Sequence, residues 1–384
     1  MKEKKLLKFP DVTKTNLKTT LFKANELPDQ VTSAWLALRA SNPRLYSPYF
    51  HPDYTKAVAA LVDNVQIAVT EDVSGIIAIL PFQGERFARP VGAPMTDYHG
   101  LICRPDCSLT LGDILKDRAV GVFHYSALVQ NNMHTPQETS QGAMIYFPEG
   151  SDVWKKAQSS SYTRHLKELR RRTRKSDEQV GPSHTVFRSQ NPLEFETLIK
   201  WKIAQYKQSG FYNIFGADWT LPLLKNFWDR PDNADLRLDM HALYIGDRLA
   251  AIDTGLTDGQ TYHSWIVAYD PTLGGYSPGA RLFNAILDKS DDLGYERLDL
   301  GVGIDAFKRH YATEDVTTSS GFVPISGPAA ALAQVYDAAE RLGQKRFADA
   351  PGKIRRRYAQ IAACENSVTG RAKAMLSSMA HYRP

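Results

Sequence analysis

Residues 236–270 read LRLDMHALYIGDRLAAIDTGLTDGQTYHSWIVAYD. Three runs rich in β-branched and aromatic residues are separated by Gly246-Asp247 and Asp258-Gly259, dipeptides that reverse a chain between antiparallel strands. Next comes SPGARLFNAILDKSDDLG, residues 277–294, in which Leu282, Phe283, Ile286, Leu287 and Leu293 recur on one helical face. RLDLGV, residues 297–302, is a short apolar strand. Three antiparallel strands, a small-residue turn, a helix and a strand make an α+β order. The turn, Tyr276-Ser277-Pro278-Gly279-Ala280-Arg281-Leu282, opens a helix with residues small enough to leave main-chain N–H groups facing an anion, which the helix dipole favours. An ordinary Ser cap with Pro at the first helical position accounts for the same residues.

Upstream, HTVFRS (184–189) reads as a strand, and residues 191–210 and 218–230 as two helices. Residues 154–176, WKKAQSSSYTRHLKELRRRTRKS, are strongly basic and helix-compatible. The first half follows a similar order. LKTTLFKA (17–24) alternates like a strand, and residues 27–43 form a helix stopped by Pro43. VQIAVTED and VSGIIAILPF (65–82) make a hairpin, LTLGDILKDR a short helix and GVFHYSALV a strand. Element order, rather than sequence similarity, suggests two like halves in tandem, each a mixed sheet flanked by helices. The expected domains are residues 1–150, residues 151–326 with the basic helix at their start, and an Ala-rich helical tail over 327–384.

At 384 residues with 43% hydrophobic content the chain can bury sizeable cores. A net charge of +5 does not by itself argue for nucleic acid. Cys103, Cys107 and Cys364 form no CxxC pair, which argues against a disulfide framework or structural zinc and for a reducing compartment. The basic start is broken by Lys8 and Pro10 and is no signal peptide, and no run has the length of a membrane helix. The expectation is a cytoplasmic protein without a metal, any membrane association being peripheral.

Strands, turn, helix and strand in this order resemble the Gcn5-related N-acetyltransferase (GNAT) fold, in which the turn cradles the coenzyme A pyrophosphate. The span from about Leu17 to Pro324 is similar to the CelD/BcsL-type acyltransferases of bacterial polysaccharide synthesis and to the related FemABX-type aminoacyl transferases, both built as tandem GNAT-like domains. The matching stretches are PMTDYHG (94–100), the basic RRRTRK (170–175), YSPGARL (276–282) and LDLGVGIDAFKRHYA (298–312). The resemblance implies that Tyr276, Ser277, Gly279, Ala280 and Arg281 hold acetyl-CoA. It also implies that Lys308 lies beside the reacting carbonyl, where an ammonium stabilises an oxyanion; the residues alone fit a solvated turn as well.

Asp97 is a carboxylate in an otherwise uncharged run, either a turn cap or, as the resemblance implies for Asp97 and Tyr98, an acceptor-side group that orients or deprotonates the nucleophile. The pattern also favours an acid at Asp299. Asp253 and His263 on the central strands fit a core polar role and a site role equally. Arg171, Arg172 and Arg174 read as a solvated face or, through the resemblance, as holders of a sugar donor's phosphates. In the tail, Arg355, Arg356, Arg357 and Tyr358 supply forked donors and an aromatic face suited to a guanine nucleotide, with cyclic di-GMP as the candidate effector; a solvated or membrane-facing helix is the plainer reading. No motif for reading duplex nucleic acid accompanies either basic run.

The function expected from the sequence is acyl transfer, acetyl first, from coenzyme A to an amino or hydroxyl group of a saccharide or lipid-linked saccharide in exopolysaccharide synthesis. A FemABX-like aminoacyl-tRNA-dependent transferase acting on a peptidoglycan precursor and a non-catalytic ligand-binding regulator are the alternatives.

Overall fold

The computed structural model describes residues 17–116, 118–129 and 138–347, with short helical stretches between 357 and 375. Its strands are β1 (Lys18–Lys23), β2 (Val65–Asp72), β3 (Gly75–Gln83), β4 (Phe87–Ala88), β5 (Ile102–Cys103), β6 (Val122–Leu128), β7 (Glu138–Tyr146), β8 (Ser183–Val186), β9 (Arg237–Ile245), β10 (Arg248–Thr257), β11 (Thr261–Tyr269), β12 (Arg297–Val302) and β13 (Glu314–Pro324). Its helices are α1 (Asp29–Ser41), α2 (Pro52–Ala59), α3 (Leu111–Leu115), α4 (Ser151–Lys156), α5 (Ser160–Gln179), α6 (Pro192–Ser209), α7 (Thr220–Trp228), α8 (Pro278–Leu293) and α9 (Gly327–Phe347).

The hairpins form where the turn dipeptides place them. Ile245 faces Arg248 across Gly246-Asp247, and Thr257 faces Tyr262 across Asp258-Gly259; Gly246 and Gly259 take the positive φ that these turns need, at 57° and 91°. The basic segment expected as one helix is two. α4 ends at Lys156, and Ser159 starts α5 by accepting from the Tyr162 N–H at its side chain.

Two sheets result, one ordered β1-β2-β3-β5 and the other β4-β6-β13-β7-β12-β11-β10-β9-β8. The larger sheet is continuous across residue 150, because β4, β6 and β7 precede that point and β13 returns to lie between β6 and β7. One of its faces joins Leu198 of α6 and Leu223, Leu224 and Phe227 of α7 to Leu238, Met240 and Ile252; the same cluster takes in Trp35, Tyr49 and Tyr54 of the first half. On the other face α8 inserts Leu282, Phe283, Ile286 and Leu287 beside Tyr262 and Leu298. An α+β class with sheets covered by helices is thus what the sequence pattern produces.

The feature that shapes the site is where two strands part. β11 and β12 are parallel and pair only at Thr261 with Arg297, Tyr262 with Leu298 and His263 with Asp299, although β11 runs on to Tyr269 and β12 to Val302. Just past the last pair, β11 carries an extra residue: Ser264 faces Gly255 and Ile266 faces Thr254, leaving Trp265 as a bulge. β12 breaks register with β7 between Asp299 and Val302, around Gly301 at φ 75°. Among the described residues no helix is long and apolar enough to cross a membrane.

Candidate active site

His263 and Asp299 sit at the floor of the opening between β11 and β12, as its last paired residues. Both are fully buried. Buried charge must be compensated, and here the compensation converges from both halves of the chain. Asp299 Oδ1 accepts from Tyr98 Oη at 3.1 Å and from the Gly301 N–H at 2.8 Å, and Oδ2 accepts from Tyr46 Oη at 3.2 Å. His263 Nδ1 faces Asp299 Oδ2 at 3.4 Å as an ion pair without hydrogen-bond geometry. Its Nε2 donates to Asp97 Oδ2 at 2.8 Å. Burial alone pulls the imidazole down, but the carboxylates of Asp299 and Asp97 outweigh it and raise its pKa to about 9.

Of the two carboxylates only Asp97 reaches solvent, its side chain 40% exposed against 0% for Asp299. Lys308 closes the same corner from the other side. It begins a 3-10 turn, Lys308–His310, and its Nζ reaches back to Val302 O at 3.2 Å and Gly301 O at 3.5 Å. Burial lowers its pKa, opposed by Asp305, Asp97 and Asp299. Three N–H groups on the ammonium and two carbonyls leave one donor for another partner. Of its neighbours, Arg309 is exposed, while His310 stacks on His165 of α5 at 4.3 Å and 10°.

At the open end of the parted strands, Ser277 adopts φ 52° and ψ 51° and starts α8. Its side chain caps nothing, while its carbonyl accepts from the Arg281 N–H at 3.1 Å. Pro278 has no N–H, so helix geometry leaves those of Gly279 and Ala280 directed outward. Gly279 lies beside Tyr269, and Arg172 of α5 donates to Ser277 Oγ. The plain capping serine weighed against the anion-binding turn is therefore not what the structure has at this turn. By element order the helix corresponding to α8 in the first half is α3, and its start is closed: Asp113 accepts from the N–H and hydroxyl of Thr110, whose Oγ1 accepts from the Asp113 N–H. A carboxylate already fills that N-terminus.

Asp97, Tyr98, Asp299 and Lys308 thus share one corner, and Ser277, Gly279, Ala280 and Arg172 share a second. Tyr276 donates to Gln179 at 2.9 Å beside the turn. Arg281 differs from its expected role. It is buried, and its guanidinium donates to Ser176 Oγ at 2.8 Å and Ser183 Oγ at 2.7 Å, so it ties α8 to α5 and β8 instead of facing a ligand. Arg171 is exposed and bidentate on Glu168, and Arg174 is exposed and apart from the turn's contacts. Asp253 turns inward to Tyr262 Oη at 2.9 Å and Ser264 Oγ at 3.0 Å, and burial raises it to about 6. In the tail, Arg357 donates to Gly210 O and Tyr358 is 48% exposed; Arg355 and Arg356 lie outside the described residues. Among the described residues no group of three or more His, Cys, Asp or Glu side chains could hold a metal.

The family model described as an acetyltransferase (GNAT) domain matches residues 163–309. That span contains α8 with its turn, the parted strands and Lys308, so the second half has a GNAT-like fold. No curated protein matches the chain. Among solved structures, FemX is similar at 8% identity over 80% of this chain and 98% of its own, with a TM-score of 0.51, which shows a shared fold. A tandem GNAT protein from the clavulanic acid biosynthesis pathway is similar at 9% identity over 81% and 99%, with a TM-score of 0.46. The C-terminal domain of a putative lysylphosphatidylglycerol synthetase from Agrobacterium fabrum is similar at 12% over 81% and 96%, with a TM-score of 0.42.

Proposed function

We propose that the chain is an acyl-CoA-dependent transferase, with acetyl as the acyl group, acting on an amino or hydroxyl group of a saccharide. The observation that carries this reading is the start of α8. Within the matched domain, two outward N–H groups and Arg172 converge on one turn at the mouth of the opening, where the positive end of the helix dipole suits a pyrophosphate. The corresponding helix α3 is closed by its own aspartate. The donor therefore binds the second half, with its thioester arm running between β11 and β12 past the Trp265 bulge, whose unpaired peptide is a group of the kind that holds an oxyanion.

The acceptor enters from the side of Asp97, the carboxylate that meets solvent. Asp97 takes a proton from the acceptor as its nitrogen or oxygen attacks the thioester carbonyl, forming the new C–N or C–O bond. Lys308 gives its remaining N–H to the oxyanion. Collapse breaks the C–S bond, and coenzyme A leaves as a thiolate that takes up a proton. The saccharide as acceptor class is supported by the sequence resemblance to polysaccharide acyltransferases.

Thermal-shift titration with acetyl-CoA, a desulfo analogue and aminoacyl-tRNA tests the reading. Stabilisation by the first two is expected. Stabilisation by aminoacyl-tRNA alone would replace it with aminoacyl transfer, and no stabilisation by any of them would remove the transferase reading.

A further inference from the structure

We propose that His263 is a positioning residue of the acceptor site: it holds Asp97 through Nε2 and faces Asp299 through Nδ1, so the half of the chain that binds the donor also fixes the carboxylate that serves the acceptor. What Asp97 does rests on the transferase reading; how it is held does not.

Asp299 alone does not satisfy the ring: Nδ1 lies 3.4 Å from Asp299 Oδ2 without hydrogen-bond geometry, while Nε2 makes its hydrogen bond to Asp97 at 2.8 Å. Asp299 is itself already supplied by Tyr98, Tyr46 and the Gly301 N–H, so it does not depend on the imidazole for a hydrogen bond. Asp97, by contrast, has one oxygen on His263 and a side chain open to solvent. Glycine at 301 suits this contact: its φ of 75° is one that L side chains rarely adopt, and a Cβ there would lie 3.2 Å from Asp97 Oδ2, close enough to press on the carboxylate. Tyr49 and Tyr98 meet the imidazole edge-on at 5.0 and 5.8 Å and fix its plane.

The groups around the ring come from every neighbouring element: Asp97 and Tyr98 from the loop after β4, Tyr46 and Tyr49 from the segment before α2, Asp253 from β10, Asp299 from β12 and Lys308 beyond it. Carboxylates dominate this set, and the ring stays a cation across the neutral range. An imidazolium cannot accept a proton from a nucleophile, so His263 is not the base of a Ser-His-Asp type relay. The proton goes to Asp97, which the imidazolium orients.

The test is nitrogen NMR of the full-length protein labelled at its ten histidines, wild type and Asp97→Asn. One imidazole is expected to keep both nitrogens protonated up to about pH 9 and to titrate at lower pH in the variant. If no imidazole stays protonated above neutral pH, or if the one that does is unmoved by Asp97→Asn, the proposal is overturned. His263→Gln supplies the kinetic arm: kcat falls on the order of 10²-fold through misplacement of Asp97, KM for acetyl-CoA is unchanged, and the alkaline limb near pH 9 disappears while Lys308→Met retains it. A His263→Gln enzyme that keeps that limb contradicts the proposal. The NMR arm needs neither a folded His263 variant nor any activity, so failure of the transferase reading leaves it readable.

Discussion

His263 shows how two opposing terms are decided at a single residue. Desolvation favours the neutral ring, yet two carboxylates within 3.4 Å reverse the balance. The sign for stability follows. A folded-state pKa of about 9 against 6.5 gives a contribution fully present below pH 6.5 and lost as the pH rises through 9, roughly 3 kcal/mol in all. Denaturant unfolding between pH 6 and 10 should therefore show stability falling across that window in the wild type and a flatter profile in His263→Gln; a flat wild-type profile would contradict the ion-pair geometry. Lys308 is different, since among the described residues its ammonium donates to the main-chain carbonyls of Gly301 and Val302. Lys308→Met keeps the aliphatic stem and should cost little stability while lowering kcat by about 10² to 10³. A large loss of stability with kcat intact would make it a structural lysine.

At the scale of elements, the contrast between α8 and α3 decides where an anion can bind. Both helices begin after a run of strands, but the start of α3 carries a capping box with the Asp113 carboxylate on the Thr110 N–H, whereas the start of α8 has no side-chain cap. Arg172 adds a guanidinium at the α8 turn. Its loss removes one charge-assisted contact, of order 1.5 kcal/mol, so Arg172→Met should weaken acetyl-CoA binding by roughly tenfold. Unchanged affinity in a calorimetric titration would return Arg172 to being a surface residue paired with Glu168. The turn and helix were legible in YSPGARL because small residues and period mark a helix start. Arg281 was not: the same residue type suits a ligand or a buried serine pair, and only the packing of α5 and β8 against α8 distinguishes them.

Across the whole molecule, the two halves meet at the site. Tyr46 and Asp97 reach Asp299 and His263, Thr261 Oγ1 donates to Tyr46 O at 3.3 Å, and Arg39 pairs with Asp258. Local pattern revealed most strands and helices, since each rests on its own period and turn residues. It could not reveal that β13 lies between β6 and β7 or that β11 and β12 part after three pairs, because neither fact is written within one stretch of chain. His263 was open to two readings for the same reason: Asp97 lies 166 positions away. Asp97, Asp299 and Lys308 were legible as chemistry, but local pattern did not make them neighbours; only the family resemblance implied that Asp97 and Lys308 face one cleft.

The claim on which the account turns is that an acyl-CoA pyrophosphate sits on the first turn of α8. Gly279→Asp tests it most directly. A Cβ at 279 has its nearest neighbour at 3.9 Å, within an ordinary helical backbone, and a carboxylate at a helix start does not harm the helix, so the variant should fold. Isothermal calorimetry with acetyl-CoA should show binding to the wild type and none to Gly279→Asp. Equal affinity for the two proteins would contradict the placement of the donor.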